Sequence, residues 1–293
     1  MSELTKRLLG MTNNDEGNVS SNPVIPEKED GASDNAQMVG LHDAVLSGLF
    51  QDDTGELFRG IPIDRDDVVL DVGCGEGGML GFCARRGAYL IAVDTHEATL
   101  DIARKRLSDV SGQAIEFYCA QAHSLPLADE TASRVICTEV LEHVDDPASV
   151  IKELNRVGKS GALYLFSVPD VLGETMFAKV APENYFQAPN HVRVFERDAF
   201  ARLIEQGGLE IISHTMTGFF WSIWWALYWG CKPDLSNPHH PVLDHWTKAW
   251  HTLVQSDTGR KLKHQLDEFM PKSQFIVARK PAAVSKHVKQ KEG

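Results

Sequence analysis

Two stretches of the sequence hold residues whose types and spacing could do chemistry. The first is DVGCGEGG (71–78), which directly follows an apolar run at 68–72, while Asp94 closes the next apolar run at 89–94. Glycines at this spacing let a strand turn tightly into a helix whose first backbone N–H groups can bind a ligand. An acidic residue at the end of the second strand suits ribose hydroxyls. The pattern predicts a nucleotide-type site.

The second stretch supplies candidate proton acceptors. Glu139 and His143 lie just after a later apolar run, and His191 and Tyr185 lie in the segment 185–193. A near-neutral imidazole suits removal of a proton from a phenol or enol, so His143 is the preferred base, with Glu139 and His191 as further catalytic candidates. His143 is equally suited to the start of a helix, and both interpretations stay open. Tyr185 and His191 are expected to contact substrate, because loops at the carboxyl ends of parallel strands form the crevice.

These residues must be positioned by an α/β fold. Short β-type runs alternate with helical patterns, which is typical of a parallel sheet covered by helices. Strands are predicted at 68–72, 89–94, 115–120, 134–139, 162–168, 209–217 and 273–280. Helices are predicted at 36–50, 78–86, 97–109, 147–157 and 196–206. The expected domains are a tail (1–36), a binding domain (37–217 with 271–280), a helical insertion (218–270) and a second tail (281–293).

The segment 120–169 and the motif VLDVGCGEGG together resemble class I S-adenosylmethionine (SAM) methyltransferases of the ubiquinone/menaquinone-biosynthesis type. The resemblance implies a Rossmann-like, mostly parallel sheet of seven strands with helices on both faces, and SAM as the cofactor. Acidic neighbours of the glycine turn also favour the cationic SAM over a pyrophosphate, which makes an NAD-dependent oxidoreductase the weaker alternative. The cofactor-binding residues implied by the resemblance are Asp71, Gly73, Cys74, Gly75, Gly77, Asp94, Thr95, Gln121, Ala122 and Glu139.

The chain departs from the pattern of that type at two places. Gln121 stands where relatives carry an aspartate for the adenine amino group, although an amide oxygen can accept the same hydrogen bond. Ala132-Ser133 replaces the usual Phe-Asp before the fourth strand. These departures keep open a catalytically silent adaptor that uses the same fold to dock a partner enzyme.

The insertion contains WSIWWALYWG (221–230), with four of the six tryptophans of the chain. The uncharged run 218–231 is shorter than the roughly twenty residues of a membrane-spanning helix. Three interpretations remain: a private core, a lid whose Trp221 and Trp225 contact a bulky apolar acceptor, and an element in peripheral contact with a membrane. His239, His240 and His245 lack the spacing of a standard metal site, and no metal is predicted.

Composition narrows the function classes. The net charge of −12 argues against nucleic acid as a partner, since that affinity depends on clustered Lys and Arg. Five scattered cysteines and an N-terminus without an apolar signal core favour a cytoplasmic location. The sequence therefore predicts transfer of a methyl group to oxygen, in preference to nitrogen or carbon, of a small or lipid-like apolar metabolite. It leaves a homodimer open.

Overall fold

A computed structural model of the protein describes residues 35–108, 110, 114–188, 190–232 and 240–282. Its helices are α1 (Ala36–Ser47), α2 (Gly78–Arg85), α3 (Glu97–Leu107), α4 (Pro147–Val157), α5 (Val171–Phe177), α6 (Arg197–Gln206), α7 (Phe219–Cys231), α8 (Pro241–Val254) and α9 (Asp257–Phe269). Its strands are β1 (Leu49–Gln51), β2 (Glu56–Phe58), β3 (Ile61–Pro62), β4 (Val68–Val72), β5 (Tyr89–Asp94), β6 (Ile115–Cys119), β7 (Ala132–Thr138), β8 (Gly158–Pro169), β9 (Glu210–Thr217) and β10 (Ser273–Arg279). Single 3-10 turns lie at Leu141–His143 and Glu183–Phe186.

Among these residues, seven strands form one sheet in the order β6-β5-β4-β7-β8-β10-β9. The first five strands of that order pair in parallel, and β10 runs antiparallel to both β8 and β9. The predicted seven-stranded, mostly parallel sheet is confirmed. Because β4 and β7 are adjacent and parallel, the turn after β4 and the segment after β7 lie side by side at the carboxyl ends of the strands.

Both faces of the sheet are covered. Successive residues of β4 point to opposite faces, so that Val69 joins one buried apolar cluster and Leu70 joins the other. Helix α4 packs Ile151 and Leu154 on the Leu70 side, and α2 packs Leu80 on the Val69 side. A buried parallel sheet of this kind fixes its strand ends rigidly.

The pair Ala132-Ser133 lies at the amino ends of the strands, away from the glycine turn, and Ser133 has a structural role there. The backbone N–H of Val68 donates to Ser133 Oγ at 3.0 Å, and that hydroxyl donates to Asp67 Oδ1 at 2.8 Å. Ser133 thus ties the beginning of β7 to the beginning of β4. The departure from the family pattern lies at the amino ends of the strands, so it does not argue for a silent site.

Helices α7, α8 and α9 form the insertion between β9 and β10. They share one buried apolar cluster with α1 and α5, and its tryptophans are Trp224, Trp225, Trp229 and Trp250. Gly40 of α1 lies directly against the Trp221 ring, because a Cβ at that glycine would come within 2.2 Å of the ring. The insertion core therefore includes α1, whereas the division of the chain into domains stays a prediction.

A buried ion network joins α1 to the insertion. Lys263 of α9 is 0% exposed and lies 3.3 Å from Asp43 of α1, and it also contacts Asp267. Trp250 Nε1 donates to Asp43 at 2.8 Å, and the backbone N–H of Phe219 donates to Asp267 at 2.9 Å. Burial raises the pKa of Asp43 to about 6, against the opposing charge of Lys263. Removing Lys263 would leave two buried carboxyl groups without a compensating charge.

In the described part of the chain, no helix combines the length and the apolar character needed to cross a bilayer.

Candidate functional site

The glycine turn after β4 has the geometry predicted for it. The backbone N–H groups of Gly73 and Cys74 both donate to Val93 O, at 2.8 and 3.0 Å, which holds the turn against the end of β5. Gly73 has a φ of 73°, in the left-handed region that favours glycine. A Cβ there would come within 2.3 Å of Val140 Cγ2, so the turn lies directly against the segment that follows β7. Helix α2 begins at Gly78, with Gly77 at its amino end.

Asp94 lies where a ribose-binding carboxylate is expected. Its Oδ2 accepts from the backbone N–H of Gly75 at 3.1 Å, and its Oδ1 accepts from the N–H of His96 at 3.0 Å. The carboxylate is therefore held at the open side of the glycine turn. Thr95, the next residue, is exposed.

Asp71 is a buried carboxyl group beneath the glycine turn. It is only 2% exposed, and burial, together with the nearby charge of Asp94, raises the pKa of Asp71 to about 8. A cationic ligand beside such a carboxyl group favours its ionised form and is bound more tightly for that reason. That requirement fits the ammonium and sulfonium of SAM and disagrees with the pyrophosphate of a dinucleotide.

The predicted adenine contacts follow β6. The backbone N–H of Ala120 donates to the backbone carbonyl oxygen of Asp94 at 3.0 Å, which ties the start of this segment to the end of β5. Ala122 is buried, and Gln121 is exposed to solvent. The roles of Gln121 and Ala122 towards adenine stay predictions, as does that of Cys74, which is buried in the glycine turn.

Glu139 is the first residue after β7 and is fixed to β8. Its N–H donates to Ser167 O at 3.0 Å, and its Oε1 accepts from Ser167 Oγ at 2.9 Å. Its φ of 54° is uncommon for a residue with a side chain, and such strain is often found at functional sites. Its predicted roles in catalysis and in cofactor binding stay open, because the carboxylate already accepts a hydrogen bond.

Three side chains converge just beyond Glu139, and we call Glu142, His143 and His191 the base cluster. Each offers a ligand atom, and these atoms lie within 4.8 Å of one another. The two imidazole rings meet edge to face, with centroids 5.3 Å apart. The structure thus brings two of the predicted catalytic residues together, although they are far apart in the sequence.

Glu142 is the unusual member of the base cluster. It is 1% exposed, and neither carboxyl oxygen has a hydrogen-bond partner among the residues that the structure describes. Burial, reinforced by the charge of Glu139, raises the pKa of Glu142 well above its ordinary value. Its Oε1 lies 3.6 Å from His143 Nε2, and a buried carboxyl group without a hydrogen bond is a candidate for a functional group.

Hydrogen bonds fix the proton positions on both rings. His143 Nδ1 lies 2.9 Å from the backbone oxygen of Asn190, which can only accept, so this nitrogen carries a proton. His191 Nδ1 lies 2.9 Å from Glu174 Oε2 and carries a proton for the same reason. In the neutral form, Nε2 of each ring is then the nitrogen that can accept a proton or bind a cation.

The base cluster can therefore do two kinds of chemistry. It can take a proton from a hydroxyl group, and its carboxyl group and two anchored imidazoles are also a ligand set that a divalent cation accepts. The sequence predicted no metal, and that prediction stays to be tested at this cluster. Of the histidines considered earlier, His240 caps α8 by accepting from the N–H of Val242 at 3.3 Å, and His239 lies outside the described residues.

The predicted substrate residues differ in their positions. Tyr185 lies beside the base cluster, with its ring centroid 4.6 Å from that of His191. Trp225 is buried among Trp224, Tyr228 and Trp229, and Trp221 packs on α1. Contact of Trp221 and Trp225 with a substrate stays a prediction.

One residue of the site, Glu174, was not among the sequence candidates. Glu174 is joined to His191 across 17 positions of sequence. No local pattern around Glu174 indicates that contact.

The chain resembles known proteins over the glycine turn, Asp94 and the segment that carries Glu139 and His143. Residues 70–166 match the family model described as a methyltransferase domain. The chain is 35% identical over 156 residues to a ubiquinone biosynthesis O-methyltransferase of Hahella chejuensis, covering 48% of this chain and 65% of the relative. It is 32% identical over 173 residues to the protein of the same name from Acinetobacter baylyi, covering 55% and 70%. The matched segment thus spans just under two thirds of the first relative.

Solved structures share the fold at low identity. The cyclase SpnF has a TM-score of 0.53 at 18% identity, covering 88% of this chain and 86% of that one. The geranyl diphosphate C-methyltransferase of Streptomyces coelicolor has a TM-score of 0.52 at 15% identity, covering 86% and 87%. Because one neighbour is named a cyclase and the other a methyltransferase, the fold alone does not decide the reaction. Together with the glycine turn, Asp94 and the matches in sequence, these likenesses show that the chain belongs to the class I SAM-dependent methyltransferase family, ubiquinone-biosynthesis type.

Proposed function

We propose that the protein transfers a methyl group from SAM to a hydroxyl oxygen of a small, phenol-like or quinone-like acceptor. The observation that carries this proposal is the base cluster: two histidines with fixed proton positions and a buried glutamate, placed beside the glycine turn through the contact of Val140 with Gly73. Nitrogen and carbon acceptors are less suited, because a proton-accepting cluster is most useful when the nucleophile is a hydroxyl.

The chain's own residues have a limited task in this reaction. SAM supplies a methyl group already activated by its sulfonium. The protein holds the acceptor oxygen in line with that methyl group and keeps water out. As the oxygen–carbon bond forms and the carbon–sulfur bond breaks, the hydroxyl proton passes to Nε2 of a histidine of the base cluster. S-adenosylhomocysteine and the methyl ether leave, and the histidine returns its proton to water.

The surroundings of the cluster support an apolar acceptor. Tyr185 and Phe186 are half-buried beside the cluster, and Tyr185 packs on the buried rings of Phe177 and Trp229. The relatives are named for O-methylation in ubiquinone biosynthesis, and we extend that chemistry to a quinone-like, lipid-like acceptor of this chain. The free cysteines favour reaction in a reducing compartment such as the cytoplasm, and a homodimer is not required because one chain supplies the whole cluster.

The proposal is tested with SAM labelled with carbon-13 in its methyl group. The acceptors are a catechol with an apolar chain, the corresponding aniline, and the catechol with both hydroxyls already methylated. We expect a new methoxy signal from the catechol alone. A methylated nitrogen or carbon would contradict the proposal, and SAM binding without turnover on any acceptor would favour the adaptor. A parallel reaction with EDTA shows whether a divalent cation takes part.

A further inference from the structure

Glu174 of α5 is a buried carboxylate with three partners. It is 1% exposed, and its Oε2 accepts from His191 Nδ1 at 2.9 Å. Its Oε1 accepts from the Tyr185 hydroxyl at 2.9 Å and lies 3.8 Å from Lys272 Nζ. These contacts join α5, the 3-10 turn at 183–186, the segment that carries His191, and the residue before β10.

Electrostatics keep this carboxylate ionised. Burial by itself raises the pKa of Glu174, but the hydrogen bond from His191 and the charge of Lys272 outweigh that effect and leave the pKa below its usual value. Burial and the neighbouring Glu174 raise the pKa of Tyr185, so its hydroxyl keeps its proton and acts as a donor. Glu174 is therefore an acceptor on both oxygens at neutral pH.

The hydrogen bond to Glu174 gives His191 a different acceptor from that of His143. The Nδ1–H of His143 faces a neutral carbonyl, whereas the Nδ1–H of His191 faces a full negative charge. A carboxylate in that position holds the ring and its tautomer and stabilises the imidazolium that forms when Nε2 takes a proton. His191 is thus better prepared than His143 to accept the proton of the substrate hydroxyl.

Helix α7 of the insertion packs against the tyrosine of this arrangement. The Trp229 ring of α7 lies 5.0 Å from Tyr185 and 4.9 Å from Phe177, edge to face in both cases. Trp229 is itself buried. Helix α7 therefore restrains Tyr185, whose hydroxyl donates to Glu174.

We propose that Glu174 is the positioning residue that orients His191 as the proton acceptor in methyl transfer, and that α7 stabilises this pair through Trp229 and Tyr185. The inference deepens the proposed function and rests on it. In the reaction, the hydroxyl proton goes to His191 Nε2, the oxygen takes the methyl group, and S-adenosylhomocysteine leaves with the sulfur electron pair.

The variant Glu174→Gln removes the charge and keeps the size of the side chain. We expect kcat to fall about 10- to 100-fold, as for other residues that orient a histidine through hydrogen bonds, while SAM affinity and the KM for the acceptor change little. The groups that face His191, directly or through Glu174, are Glu142, His143, Glu174, Tyr185 and Lys272.

Glu183→Gln is the matched control, since Glu183 is an exposed carboxylate in the turn that contains Tyr185. It should leave kcat, SAM affinity and the KM for the acceptor unchanged. Trp229→Phe and Tyr185→Phe should lower kcat in the same direction but by less, and they test the inference if Glu174→Gln does not fold. An unchanged kcat in Glu174→Gln would overturn the proposal.

A readout without turnover separates this inference from the proposed function. Nitrogen-15 NMR of the imidazoles in the full chain reports the tautomer of His191 directly. We expect the Nδ1–H form in the wild type and a mixture of tautomers in Glu174→Gln. The same tautomer in both would overturn the role of Glu174, whereas absence of methyl transfer by a wild type with this tautomer would contradict the proposed function alone.

Discussion

At the scale of single residues, the buried carboxyl group of Asp71 lowers the stability of the ligand-free protein when it ionises. It is buried at the end of β4 near Asp94, and its pKa is raised to about 8 by burial and by that second carboxylate. A group whose pKa is raised on folding contributes stability below its unfolded pKa and loses it as the pH rises through the folded value. The protein without ligand should therefore lose stability between about pH 4 and pH 8 at this residue.

The variant Asp71→Asn isolates that effect. Without SAM, we expect the free energy of unfolding of the wild type to fall relative to the variant by a few kcal/mol as the pH rises over this range. SAM binding should weaken by at least about tenfold in the variant, because the carboxyl group of Asp71 can ionise beside a cationic ligand and an amide cannot. Urea denaturation across pH and calorimetry measure the two quantities. If the free energy of unfolding changed with pH equally in both proteins, Asp71 would be ionised in the folded state over this range, and the prediction would be wrong.

At the scale of elements, α1 is attached to the insertion by charge as well as by apolar contact. Lys263 of α9 lies fully buried between Asp43 and Asp267, and Gly40 admits the Trp221 ring. The tryptophan helix is thus enclosed by α1, α5 and α8, which favours the core interpretation for most of its surface. Trp229 is the exception, because it also contacts Tyr185.

Lys263→Met should destabilise this part of the protein. Removing the cation leaves two buried carboxylates facing each other, and we expect a loss of about 3–5 kcal/mol in the free energy of unfolding. Hydrogen exchange should show α1 opening first. Lys261→Met, at an exposed position of the same helix, is the control and should change stability little. An equal loss of unfolding free energy in both variants would show that the buried ion network does not stabilise the packing of α1.

At the scale of the whole molecule, the sequence was most informative where structure is local. The run VVLDV, the glycine turn and YLIAVD predicted β4, α2 and β5 because strand alternation, left-handed glycines and helix entry are properties of adjacent residues. The short strands β1 to β3 and the helix α5 were not predicted, since each is too short to show a period. The contact of Glu174 with His191 could not be predicted, because it depends on how separate elements pack.

The central claim is that the carboxyl ends of β4 and β5 bind SAM, and calorimetry of SAM binding tests it most directly. Asp94→Ala removes the ribose carboxylate, and Glu97→Ala removes an exposed carboxylate in the first turn of α3 as a control. We predict one SAM per chain for the wild type and for Glu97→Ala, and binding at least about 30-fold weaker, roughly 2 kcal/mol, for Asp94→Ala. Absence of SAM binding by the wild type, or undiminished binding by Asp94→Ala, would contradict it.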